Sequence, residues 1–151
     1  MAIETAGVQV GSLAPDFTLA GPGGQVTLSD YREKQSVVLY FMREFTCKLS
    51  RKNVAQLKQM YGTLRSQNTA VLVIAGGSRA EAEQLATTMQ VPFPVLADID
   101  RKVYHSYGLE KVLSFWQRSG SIVVDKQGRV SYLHPTTIPA RLDEAALMRT
   151  L

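Results

Sequence analysis

Cys47 is the only cysteine in the chain, and its neighbours suit a reactive thiol. An apolar run, Ser36–Met42, leads into Arg43-Glu44-Phe45-Thr46-Cys47-Lys48-Leu49-Ser50-Arg51-Lys52, and helical spacing begins just after it. A thiol on such a strand-to-helix turn faces the free N–H groups of the helix start, which favour its anion. Arg43, Lys48, Arg51 and Lys52 add positive charge nearby. The thiolate is the nucleophilic form, so the pattern points to thiol chemistry. Free cysteine also packs as a small apolar core residue, but flanks this polar do not describe a core.

Other side chains near the thiol have roles open to them. Thr46 can donate a hydrogen bond to a thiolate or to an oxygen beside it, or it can cap the helix. Ser50 can donate from one turn inside the helix. A cation at Arg43 favours both the anion and a polar substrate. Glu44 reads as a surface carboxylate or a proton shuttle. His105 reads as a partly buried structural residue between Tyr104 and Tyr107, and His134 as a surface one. Trp116 and Phe115 read as core in preference to an apolar rim of the site, and Tyr40 and Phe41 as packing residues.

The elements that must position these residues follow from periodicity. Asp16–Ala20 and Gln25–Leu28 flank Gly21-Pro22-Gly23-Gly24 and predict a hairpin. Ser29–Arg32 predicts a turn or one helical step. Ser36–Met42 and Thr69–Ala75 are β-branched and aromatic runs, the mark of strands buried on both faces. From Ser50, Val54, Leu57, Tyr61 and Leu64 form a helical stripe. Ser78-Arg79-Ala80-Glu81 is a capping box, and Ala82, Leu85, Ala86 and Met89 continue it as a helix. A short strand, Phe93–Ala97, and a short helix, Arg101–Tyr107, come next. Ser121–Val124 and Arg129–Leu133 are joined by the turn Asp125-Lys126-Gln127-Gly128, and a helix over Asp143–Thr150 closes the chain. This order predicts an α/β fold with a mixed sheet and helices on both faces.

Composition narrows the rest. The chain has 151 residues, 45% of them hydrophobic, enough for one domain over 1–151 with its own core. One cysteine cannot form an internal disulfide, so any disulfide joins another chain or a small thiol. One cysteine and two scattered histidines do not make a structural zinc site. The net charge of +4 is dispersed, with no basic stripe carrying aromatic platforms, which argues against nucleic acid as a partner. Met1–Gly7 lacks the basic and apolar parts of a leader peptide, and no apolar run approaches a membrane span. The expectation is a cytoplasmic protein with no membrane association.

With the elements in place, the chain resembles the thioredoxin fold, and within it the peroxiredoxin branch: the alkyl hydroperoxide reductase/thiol-specific antioxidant family. Four stretches carry the resemblance, in order: Gly11–Leu19, Val26–Tyr31, Val91–Asp98 continuing to Leu109, and Ser121–Gly128. The resemblance implies a thioredoxin-like central sheet flanked by helices, with an amino-terminal β-hairpin extension. The family's Pro-x-x-x-Thr/Ser-x-x-Cys pattern places Arg43 at its proline, Cys47 at its threonine and Ser50 at its cysteine. The segment is also similar to an Arg-x-x-Cys-x-x-Cys-Arg redoxin pattern with Ser50, native or substituted, as the second cysteine. Cys47 is then the attacker and its resolver is absent. The family's arginine before the fifth strand falls at Ser119, one residue from Arg118. The thioredoxin cis-proline position falls at Gly120.

The resemblance implies a thiol-dependent antioxidant oxidoreductase that reduces peroxides through Cys47, assisted by Thr46, Ser50, Arg43 and Arg118. Its reductant would be an external low-molecular-weight thiol or a thioredoxin- or glutaredoxin-type partner. No cofactor or metal is implied, and homodimers are common in the family. Two alternatives stay open: disulfide exchange at a Cys-x-x-Ser site, and a non-catalytic redoxin-fold binding module.

Overall fold

The computed structural model describes residues 8–138 and 140–151. The segment read above as no leader peptide, residues 1–7, lies outside them. Among the described residues, seven strands form one sheet: β1 Thr18–Gly21, β2 Gly24–Thr27, β3 Ser36–Phe41, β4 Thr69–Ala75, β5 Val95–Ala97, β6 Ser119–Val124 and β7 Val130–Thr136. The helices are α1 Lys48–Ser66, α2 Arg79–Met89, α3 Lys102–Ser106 and α4 Glu144–Met148, with a 3-10 turn at Leu28–Tyr31. The sheet order is β2-β1-β5-β4-β3-β6-β7. Strand β4 is parallel to β3 and to β5, and the other pairings are antiparallel, so the sheet is mixed as expected.

The central strands alternate with period two between two apolar layers. Val38, Tyr40 and Met42 join Val71, Val73 and Ala75 on the face covered by Val54, Leu57, Met60 and Leu64 of α1, with Leu85 of α2 and Leu147 of α4. Val37, Leu39 and Phe41 join Leu72 and Ile74 on the other face, against Val103, Tyr104, Tyr107 and Leu28. Burial on both faces explains why these strands read as continuous apolar runs.

The elements match their expected positions with small differences. The hairpin closes at Pro22-Gly23, and Gly24 sits at φ +111, open to glycine and strained for other residues. Helix α1 begins at Lys48, two residues before Ser50, and Met60 takes the buried place expected of Tyr61. The half-buried Tyr61 instead stacks edge-on against Phe93. The capping box at Ser78 and Glu81 is formed in both directions.

Two contacts aim the end of β3. The Tyr104 hydroxyl reaches across from α3 and hydrogen-bonds the carbonyls of Met42 at 2.5 Å and Ile74 at 3.1 Å. Met42 also donates its N–H to Ile74 O at 2.8 Å. Buried hydroxyls demand such partners, and these hold the residue immediately before Arg43. No helix among the described residues is long and apolar enough to cross a membrane.

Candidate active site

Helices α2 and α4 carry side-chain caps, which α1 and the short α3 lack. Ser78 and Asp143 cap α2 and α4, and each helix has a glutamate in its first turn. The N-cap of α1 is Cys47, its first turn holds no acidic residue, and no side chain makes a cap hydrogen bond. The positive end of the longest helix, with Lys48 and Arg51 in its first turn, therefore faces a thiol in place of a carboxylate. That arrangement costs helix stability and favours an anion at the sulfur.

The Cys47 thiol is partly exposed. Burial pushes its pKa up, but the Ser50 hydroxyl and N–H and the Arg43 guanidinium outweigh that effect. They hold the thiol below its ordinary value of 9.0. Ser50 is almost fully buried, and its Oγ accepts the Arg43 N–H at 3.0 Å. Cys47 donates its N–H to Glu44 O, and its carbonyl accepts the Arg51 N–H. Arg51 Nε returns to Phe45 O at 2.6 Å. The 43–51 segment is thus a braced turn around one sulfur.

The structure brings Cys47, Ser50 and Arg43 together. Thr46 is exposed and is not the cap: Cys47 holds that position. Arg118 lies at the same end of the sheet, because Gly120 pairs with Phe41. Its Nη1 donates to Gly108 O at 2.9 Å, while the neighbours that act on the sulfur are Ser50 and Arg43. Glu44 forms a long ion pair with Arg43 at 3.6 Å. His105 is exposed, beside Glu110 at 3.1 Å, and is not the partly buried residue expected. At Gly120, the counterpart of the thioredoxin cis-proline, the backbone is trans, as are the other described peptide bonds.

Three residues near the site have roles that sequence reasoning missed. Trp116 is not core: its half-buried ring lies under the Arg43 guanidinium, 4.6 Å from Cζ to ring centroid. Phe115 is exposed as well. Tyr40 does more than pack, since its hydroxyl accepts from Asn53 Nδ2 at 3.0 Å and faces Ser50 and Cys47. Asn53 is buried on α1 and reaches Ala140 O and Leu142 N. A usable signal existed for the last pair. A strand tyrosine buried on both faces needs a hydroxyl partner, and Asn53 interrupts the apolar stripe of α1. Nothing in the sequence alone joins Trp116 to Arg43.

A sequence model of the AhpC/TSA family matches residues 10–133. The chain belongs to the AhpC/TSA family. This AhpC/TSA protein is similar both to proteins named peroxiredoxin and to proteins named thiol-disulfide oxidoreductase. It is 31% identical to the chloroplastic peroxiredoxin Q of Triticum aestivum over 84% of this chain and 59% of that protein. It is 29% identical to the thiol-disulfide oxidoreductase ResA of Geobacillus thermodenitrificans over 84% of this chain and 70% of that protein. Its fold matches peroxidoxin BcpB from Mycobacterium tuberculosis with a TM-score of 0.85 at 16% identity, covering 95% of this chain and 96% of that one. The thioredoxin-like fold and oxidoreductase character expected from the sequence are borne out.

Proposed function

We propose that this AhpC/TSA protein reduces peroxides at Cys47. The reading rests on one observation: a cation and the start of a helix converge on a single, partly exposed sulfur. The Cys47 thiolate attacks one oxygen of a hydroperoxide, a sulfur–oxygen bond forms and the O–O bond breaks. Sulfur is oxidised by two electrons to a sulfenic acid, and the leaving oxyanion takes up a proton to become water or an alcohol. Arg43 faces the charge that moves from sulfur to oxygen, which suits it to stabilise both ends of the step. An external thiol then condenses with the sulfenic acid, releasing water and forming a mixed disulfide. A second thiol, or a thioredoxin- or glutaredoxin-type partner, reduces that disulfide. Such a cycle suits the cytoplasm, where reduced thiols prevail.

A second reading is favoured by the N-cap position of Cys47, with buried Ser50 three residues on. This spacing matches the attacking and resolving positions of a Cys-x-x-Cys pair, so Cys47 would attack a disulfide. Peroxide reduction is preferred because the O–O bond is broken in one step at one sulfur, whereas exchange at Cys47 leaves its own substrate bound as a mixed disulfide until an external thiol takes the resolving role that Ser50 cannot. The test is steady-state peroxide consumption with dithiothreitol as reductant. Turnover that Cys47→Ser abolishes supports the proposal. Disulfide reduction without peroxide consumption transfers the assignment to exchange.

A further inference from the structure

The Arg43 guanidinium is held in an unusual way. Its Nε is buried and has no hydrogen-bond partner. Its Glu44 partner is 3.6 Å away and 46% exposed, a weak tether. What covers the guanidinium is the Trp116 ring, and stacking on an aromatic face holds an arginine without hydrogen bonds.

The indole is itself anchored at both ends. Its Nε1 donates to Thr137 O at 2.5 Å. Its backbone exchanges two hydrogen bonds with Val112, at 2.8 and 3.0 Å, across the turn Leu113-Ser114-Phe115. Leu113 and Ser114 have φ values of 55 and 69. Two successive left-handed residues without a glycine are costly, and the cost is heavier for leucine. Leu113 and Phe115 are also 78% and 72% exposed, so burial of the turn does not offset the strain. Strain of this kind persists where the surroundings dictate it, commonly at functional sites. Here the turn delivers Trp116.

We propose that Trp116 is a positioning residue: the strained 112–116 turn clamps its ring on Arg43 and so keeps that cation beside Cys47. Trp116 acts through Arg43 and does not itself touch the sulfur in this role. The charged and titratable groups that face Cys47 are Arg43 from the β3–α1 loop and Tyr40 from β3. Glu44 is paired to Arg43, and Lys48 and Arg51 are on α1. The inference rests on Cys47 reacting as a thiolate, as in the proposed function. Alkylation needs no peroxide, so the two ideas fail separately.

The test is the pH dependence of Cys47 alkylation by iodoacetamide in wild type, Trp116→Phe and Trp116→Leu, each with Arg43 and with Arg43→Met. With Arg43 present, Trp116→Leu should slow alkylation at pH 7 roughly three- to tenfold and move the rate profile to higher pH. Trp116→Phe should keep most of the rate. With Arg43→Met, Trp116→Leu should change the rate less than about twofold, because the clamp has nothing to hold. An unchanged profile in folded Trp116→Leu, or an equal loss in both backgrounds, overturns the proposal. If Trp116→Leu does not fold, the fluorescence of the sole tryptophan decides. In wild type it should titrate with the alkylation profile, and this titration should vanish in Cys47→Ser. A flat signal overturns the clamp.

Discussion

Ser50 Oγ accepts the backbone N–H of Arg43 at 3.0 Å, tying together the two ends of the turn that carries Cys47. The same serine's hydroxyl and N–H help to hold the Cys47 thiol below its ordinary pKa. One small buried side chain therefore sets both the backbone path and part of the electrostatics. Ser50→Ala should cost about 1–3 kcal/mol, since it strands the Arg43 N–H. It should also slow Cys47 alkylation at pH 7 roughly two- to fivefold. Chemical denaturation and a pH–rate profile measure the two effects.

Arg43→Met should have the larger kinetic effect, because it removes the cation facing the thiol. Alkylation at pH 7 should fall roughly tenfold, with the profile moved to higher pH. Raising salt should slow wild type more than the variant, since the 24%-exposed guanidinium is open to screening. Equal salt responses would count against Arg43 as the source of the effect.

The thiol's stability linkage has a definite sign. Its folded pKa lies below 9.0, so the thiolate favours the folded state. The contribution is complete above the unfolded thiol's titration near 9.0 and is lost as pH falls through the lower folded value. Under reducing conditions, the stability difference between wild type and Cys47→Ser should therefore rise with pH and level off above that range. Urea denaturation of both proteins from pH 6 to about 10 measures it, and a difference that shrinks with rising pH would contradict the assignment.

Asn53 ties α1 to the segment before α4. It donates to Tyr40 Oη and Ala140 O and accepts from Leu142 N–H and Arg141 Nε. Asn53→Ala leaves several buried groups unpaired and should cost about 2–4 kcal/mol. That corresponds to a fall in Tm of roughly 5–12 °C. Thermal unfolding followed by circular dichroism gives the value.

The fold was legible because its signals are local. Both-face burial marked β3 and β4, Ser78 and Glu81 announced α2, and the glycine-rich turn announced the first hairpin. The placement of Cys47 was legible for the same reason: strand, turn, cysteine and helix are contiguous. What escaped detection depends on tertiary pairing. Trp116 meets Arg43 only because β6 lies beside β3, and no periodicity distinguishes its ring from a core residue. Arg118 looked suited to the sulfur by position, yet it is tied to Gly108 O. Thr46 looked like a cap, but the helix begins one residue later, with Cys47 itself at the N-cap. That shift brings the thiol to the helix start.

The most direct measurement is the single-turnover rate of Cys47 oxidation by hydrogen peroxide, with intact mass recorded and Cys47→Ser as control. A rate constant far above that of a free thiolate, with one oxygen added at Cys47, is the expected result. A rate no faster than a free thiol, or oxidation that persists in Cys47→Ser, would contradict a peroxidase built on this sulfur.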